Sequence, residues 1–163
     1  MPLQGYVQIG SMTQDMYKFL SICANIGANI IISGGTGSGK TTTLYASLLS
    51  LRSNTSNIMT VEDPIEFQHE NAKSLVSQVE VGTDSESYEY ALRAMMRQDP
   101  DIIFLGEVRD EETAIMAIRA ALTGHQVYTT LHTNDALGTI PRLGDIGVPP
   151  HLIAGSLICT MAQ

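Results

Sequence analysis

A run of glycines and small polar residues, Gly34-Gly35-Thr36-Gly37-Ser38-Gly39-Lys40-Thr41, constrains this chain more than any other stretch. It fits the spacing G-x-x-x-x-G-K-[ST] at Gly34, Gly39, Lys40 and Thr41. Glycines let successive backbone N–H groups turn inward on phosphate oxygens, and the start of a following helix adds partial positive charge. Lys40 is placed to reach β- and γ-phosphates, and Thr41 offers a hydroxyl to Mg²⁺. The spacing alone also describes a flexible turn, so the flanks decide. Before it, Asn29-Ile-Ile-Ile-Ser33 reads as a short buried strand; after it, Lys40 to about Leu51 reads as a helix. A nucleotide site over Gly34–Thr42 is therefore expected. No guanine-reading Asn-Lys-x-Asp loop occurs, which makes ATP the default nucleotide.

Composition narrows the rest. At 163 residues, with 44% hydrophobic and 16% charged residues, the chain has the make-up of one globular domain with a core that needs no staples. Nine Lys+Arg against 17 Asp+Glu give a formal charge of −8. That speaks against a nucleic-acid groove, which needs clustered positive charge. The only lysines are Lys18, Lys40 and Lys73. Cys23 and Cys159 lie far apart in apolar settings and read as buried small hydrophobes in a reducing compartment. The start lacks a basic and apolar leader pattern, and no apolar run reaches the ~20 residues of a membrane span. A cytoplasmic chain without direct membrane insertion is expected.

Along the chain, Met12, Met16, Phe19, Leu20, Cys23 and Ile26 recur at helical spacing from Ser11 to Ile26, stopped by Gly27. Ile58–Val61 and Leu75–Val81 read as strands, Ser87–Gln98 as a helix, and Ile102–Leu105 as another strand after the turn Asp99-Pro100-Asp101. Asp110 can cap a helix that runs to Leu122 and stops at Gly124. Gln126–Leu131 is again strand-like. Helical stretches follow around Leu137–Ile146 and after Pro149-Pro150. Short apolar strands alternating with helices predict an α/β fold with a mostly parallel sheet flanked by helices. Residues 1–28 read as an amphipathic lead-in helix and linker, and 29–163 as the core.

Two acidic clusters follow predicted strands, where open α/β sheets place ligands. The first is Thr60-Val-Glu62-Asp63-Pro64-Ile-Glu66; the second is Gly106-Glu107, followed by Val108-Arg109-Asp110. Phosphoryl transfer needs such carboxylates to hold the metal's water shell and to polarise the attacking water. Asp110 serves better as a helix cap. His125 and His132 flank one strand, at its opposite ends, and so make a poor metal pair. His69 reads as surface loop and His151 as the opening of the last helix.

The glycine-rich loop, the Thr60–Glu66 acidic box, Gly106-Glu107-Val-Arg-Asp110 and the histidine-flanked strand stand in the order of one known family. The chain resembles the secretion and pilus motor ATPases, which power type II secretion, type IV pili and, more distantly, type IV secretion. The resemblance runs from about Ile30 to Gln163. It implies a RecA-like P-loop core that binds ATP and Mg²⁺ through Gly34, Gly35, Thr36, Gly37, Ser38, Gly39, Lys40, Thr41 and Thr42. It implies Glu66 as the catalytic glutamate, with Glu107 a second catalytic acid, and Thr41, Glu62, Asp63 and Glu107 on the metal side, partly through water. Glu107 is the strand-end acid after Gly106, where other P-loop ATPases carry Asp. His125 and His132 resemble the family's histidine box, a γ-phosphate sensor. Arg93, Arg97 and Arg109 are candidates for a subunit boundary.

The same resemblance implies a hexameric ring of identical subunits, peripheral at the inner membrane through a platform protein, that assembles or retracts pilin-like subunits. Family members carry a domain before the core and further helices after it, so this chain reads as a truncated core, with weak activity expected. Gly35 stands where the family usually has Pro. A DNA-translocating or type IV secretion ATPase, and a nucleotide-gated interaction module without turnover, are the alternative readings.

Overall fold

The computed structural model describes residues 3–8, 10–50, 56–69 and 75–163. The sheet is built from β1 (Ile30–Ser33), β2 (Asn57–Glu62), β3 (Leu75–Glu80), β4 (Ile102–Leu105), β5 (Gln126–Leu131) and β6 (Cys159–Ala162). Their order is β3-β2-β4-β5-β1-β6, and every pairing is parallel. Parallel strands need crossovers, which here are largely helical: α3 (Lys40–Ser50), α4 (Tyr88–Met95), α5 (Glu111–Leu122), α6 (Thr139–Ile146) and α7 (Pro150–Ser156). Leu51, expected near the end of α3, lies outside the described residues.

The apolar runs in the strands follow from burial on both faces. Ile30, Ile32, Ile58, Phe104 and Tyr128 join one core with α3 and the first helices. Met59, Val61, Ile103, Leu105 and Val127 alternate onto the other face, against α4, α5, α6 and α7. Each Ile or Leu so buried contributes about 1.5–3 kcal/mol. Helix starts follow capping chemistry: the Ser87 side chain accepts from the Tyr90 N–H at 3.1 Å, and Asp110 accepts from the Thr113 N–H at 2.8 Å. Gly124 sits at φ +99 just past α5, the left-handed stop expected of it.

Three departures from the sequence reading are informative. The lead-in comprises α1 (Leu3–Gln8) and α2 (Gln14–Asn25), with Thr13 capping the second, and both pack into the core over α3 rather than leading to it as a linker. Helical spacing overstated the buried face of α2: Leu20 and Cys23 are buried, but Phe19 and Ile26 are exposed. Finally, β6 was not expected. Four residues are too few for periodicity to identify, and β6 forms because it finds a ladder partner in β1.

Candidate nucleotide site

Because all strands point the same way, the loops after β1, β2, β4 and β5 emerge at one edge of the sheet. There they enclose a cleft of about 420 Å³. The loop after β1 supplies Thr36, Gly37 and Gly39, and the first turn of α3 adds Lys40, Thr41 and Thr42. The β2 end supplies Glu62, Asp63, Pro64 and Glu66, with the Asp63–Pro64 peptide bond cis. Gly106, Glu107 and Arg109 follow β4; Thr130 and His132 come from β5 and its exit.

The loop is shaped by glycine where glycine is required. Gly37 and Gly39 sit at φ +77 and +89, which side chains rarely adopt. A Cβ on Gly34 would overlap the Gln163 carbonyl and Ser38 Oγ. Gly35 is different: its φ is ordinary and the space beside it is open. Lys40 is buried, and among the described residues its Nζ reaches the Gly35 carbonyl alone, at 3.4 Å. Ser38 Oγ is buried without a hydrogen-bond partner among the described residues.

Across the cleft the acids differ in environment. Glu62 is 2% exposed, and both its oxygens take internal donors: Tyr45 and Thr60 hydroxyls (the latter at 2.6 Å) and the Gln78 amide at 3.2 Å. Burial, aided by the Glu66 and Glu80 carboxylates and opposed by Gln78, pushes the Glu62 carboxyl up to about 7. Asp63 and Glu66 are exposed. Glu107 accepts from Arg109 and lies 3.1 Å from His132 Nε2. Arg109 also reaches Asp63 at 3.2 Å, so it bridges the two acidic clusters. Tyr88 stands among them; burial and Asp63 raise its pKa well above the ordinary phenol value.

The remaining expected site residues lie elsewhere. His125 is at the opposite end of β5, its Nδ1 3.0 Å from the Ala120 carbonyl and 3.1 Å from Thr123 Oγ1. Arg93 pairs with Glu89 one turn back on α4, and Arg97 is exposed beyond that helix. Of the three arginines, only Arg109 enters the cleft. His69 is half-buried with its ring 4.8 Å from Tyr45, more enclosed than a surface loop position.

Comparison with known proteins gives this cleft its context. The model of the type II/IV secretion system protein family matches residues 2–163. The chain belongs to that family. The type II secretion system protein HxcR of Pseudomonas aeruginosa is 52% identical over 135 residues, 82% of this chain and 28% of that protein. The type IV pilus assembly ATPase TfpB of Acinetobacter baylyi is 45% identical over 161 residues, 99% of this chain and 27% of its own length. The chain thus spans just over a quarter of these relatives. Among solved structures, the pilus retraction motor PilT with bound ADP matches with a TM-score of 0.81 and 43% identity, over 90% of this chain and 45% of PilT.

The residues of this secretion-family core fit the ligand that fold implies. Among the described residues, a buried Ser38 hydroxyl with no partner, a glycine floor that a Cβ would fill and a lysine with no acidic partner suit phosphate oxygens. Among the described residues no group of three His, Cys, Asp or Glu could hold a metal. Sequence reasoning missed Tyr88 and Thr130 in this cleft. Tyr88 carries no motif signal, and Thr130, whose hydroxyl donates to the Gly106 carbonyl at 2.7 Å, reads as an ordinary β-branched strand residue. Gly106 itself has a packing reason: a Cβ there would stand 3.3 Å from the Tyr88 hydroxyl and 3.4 Å from the Glu62 backbone.

Proposed function

We propose that this chain is an Mg²⁺-dependent ATPase core of a secretion or pilus motor. It acts within a hexameric ring on the cytoplasmic side, working through an inner-membrane platform protein. The observation that carries this reading is the convergence in one cleft of Lys40 from the glycine loop with Glu66, Glu107 and His132 from three other strand ends. The ATPase descriptions of TfpB and the ADP in PilT support it.

In this reading the loop amides and Lys40 hold the phosphates, and Thr41, Asp63 and Glu107 face the cation. A bound Mg²⁺ offsets charge on the phosphate oxygens. Glu66, exposed at the cleft wall, takes the proton of the attacking water. Glu62 has its oxygens engaged internally and instead ties α3, through Tyr45, to β2 and β3. His132 sits against Glu107, so a change in the charge facing that acid is transmitted to the β5 exit.

The test is phosphate release by the wild type against Glu66→Gln. We expect a loss of about 10²-fold or more with ADP binding retained. Unchanged release would contradict the assignment of Glu66. Because the chain spans a quarter of its relatives, its own turnover is expected to be slower than that of an intact motor.

A further inference from the structure

Outside the acids and the loop itself, one residue touches the loop from both sides. We propose that Gln163 is a positioning residue for the phosphate loop, an inference that rests on the nucleotide reading above and extends it. Its backbone N–H donates to the carbonyl of Ser33, the last residue of β1, at 2.9 Å. Its side-chain Oε1 accepts from Thr43 Oγ1 at 2.5 Å, and Thr43 is fully buried in the first turn of α3. Its Nε2 lies 3.2 Å from where a Gly39 Cβ would be, and its carbonyl occupies the space beside Gly34. One residue just past β6 therefore bonds to the strand entering the loop and to the helix leaving it, and lies beside both bounding glycines.

The loop needs such support because it holds itself weakly. Its internal contacts are Ser38 N–H to the Gly35 carbonyl at 3.3 Å and Lys40 Nζ to the same carbonyl at 3.4 Å. From β5 it receives one more anchor, the Gly34 N–H donating to the Leu131 carbonyl at 3.2 Å. Glycine-rich backbone is entropically free, and its amides bind phosphate well only when already aimed. A neutral amide suits this role. It offers Thr43 an acceptor without bringing a second negative charge toward the phosphates, as a carboxylate would.

The experiment is a double-mutant cycle on the affinity for a fluorescent ADP derivative, with thermal unfolding of the nucleotide-free protein measured alongside. Gln163→Met keeps the side-chain volume and loses the acceptor; Thr43→Val keeps shape and loses the hydroxyl. Each is expected to weaken binding about 5- to 10-fold, and the double variant no more than either single one, because both remove the same bond. Thr43→Ser is expected to restore wild-type affinity, whereas Gln163→Glu keeps an acceptor and still loses affinity through its charge. Wild-type affinity in Gln163→Met, or losses that multiply in the double variant, overturns the proposal. If Gln163→Met fails to fold, Thr43→Val against Thr43→Ser decides, and equal affinity of those two also overturns it. A wild type that does not bind the ADP derivative overturns the nucleotide reading itself, an outcome separate from failure of the cycle.

Discussion

Strand β5 carries a histidine just beyond each end, and the two meet different surroundings. His132, past the carboxyl end, is 46% exposed, faces Glu107 at 3.1 Å and lines the cleft. His125, before the amino end, turns its ring back onto the Ala120 carbonyl and Thr123, tying off the end of α5. The same contrast runs across the whole sheet. At the amino edge, polar side chains are consumed in holding chain to chain. Asn29 accepts from the Val127 N–H at 2.9 Å and donates to Ser156, and Asn57 donates to the Gln98 and Asp99 carbonyls. At the carboxyl edge Glu62 is likewise engaged internally and Asp63 pairs with Arg109, but Lys40 and Glu66 line the cleft with no ion pair among the described residues. A parallel sheet makes this division unavoidable, since all its helix starts and ligand-facing loops share one edge.

The sharpest way to break this division is to compare one variant from each edge. Lys40→Ala is expected to weaken ADP binding about 100-fold, the value of a desolvated charge-assisted contact of roughly 2–3 kcal/mol, while thermal unfolding barely shifts. Asn29→Ala is expected to do the reverse. Its two long-range bonds to Val127 and Ser156 are lost, costing about 1–3 kcal/mol in denaturant unfolding with ADP affinity unchanged. If Asn29→Ala weakened ADP binding as much as Lys40→Ala did, the two edges would not be separate in function.

The histidines provide the narrower test. His132→Ala is expected to slow phosphate release about 10-fold, because Glu107 loses the neighbour that orients it. His125→Ala is expected to leave release within twofold and to cost about 1 kcal/mol of stability. Equal effects on release would show that both ends of β5 communicate with the cleft.

What could be read from the sequence divides along the same line. The loop, its flanking strand and helix, and the strand-end acids were legible because glycine spacing and apolar runs are local signals. Asp110 and Gly124 were legible because capping is also local. The two histidines stand at opposite ends of one strand in the sequence itself; it is their pairing as one sensor, implied by the resemblance, that the structure does not bring together, since only His132 lines the cleft. Glu62 looked like Asp63 and Glu66 in a run of acids. Only the approach of Tyr45 from α3 and Gln78 from β3 distinguishes it. Gln163 and β6 depended on pairing with β1, a contact across most of the chain length.

The smallest expected effect lies inside the loop, where neighbouring glycines divide by the same rule of what surrounds them. Gly34 is pressed against the Gln163 carbonyl and Ser38, so any side chain there displaces the β6 end or the loop. Gly35, one residue on, has ordinary φ and nothing within 4 Å of a would-be Cβ. Alanine at Gly35 therefore restricts the unfolded chain without a clash, and Gly35→Ala is expected to stabilise the protein by about 0.4–1 kcal/mol with ADP affinity retained. That the resembling family usually places proline here agrees with a backbone that does not need glycine's freedom. Denaturant midpoints of Gly35→Ala and Gly34→Ala measure the contrast directly. If both variants were destabilised alike, the open space beside Gly35 would not be spare, and the contrast between the two glycines would fail.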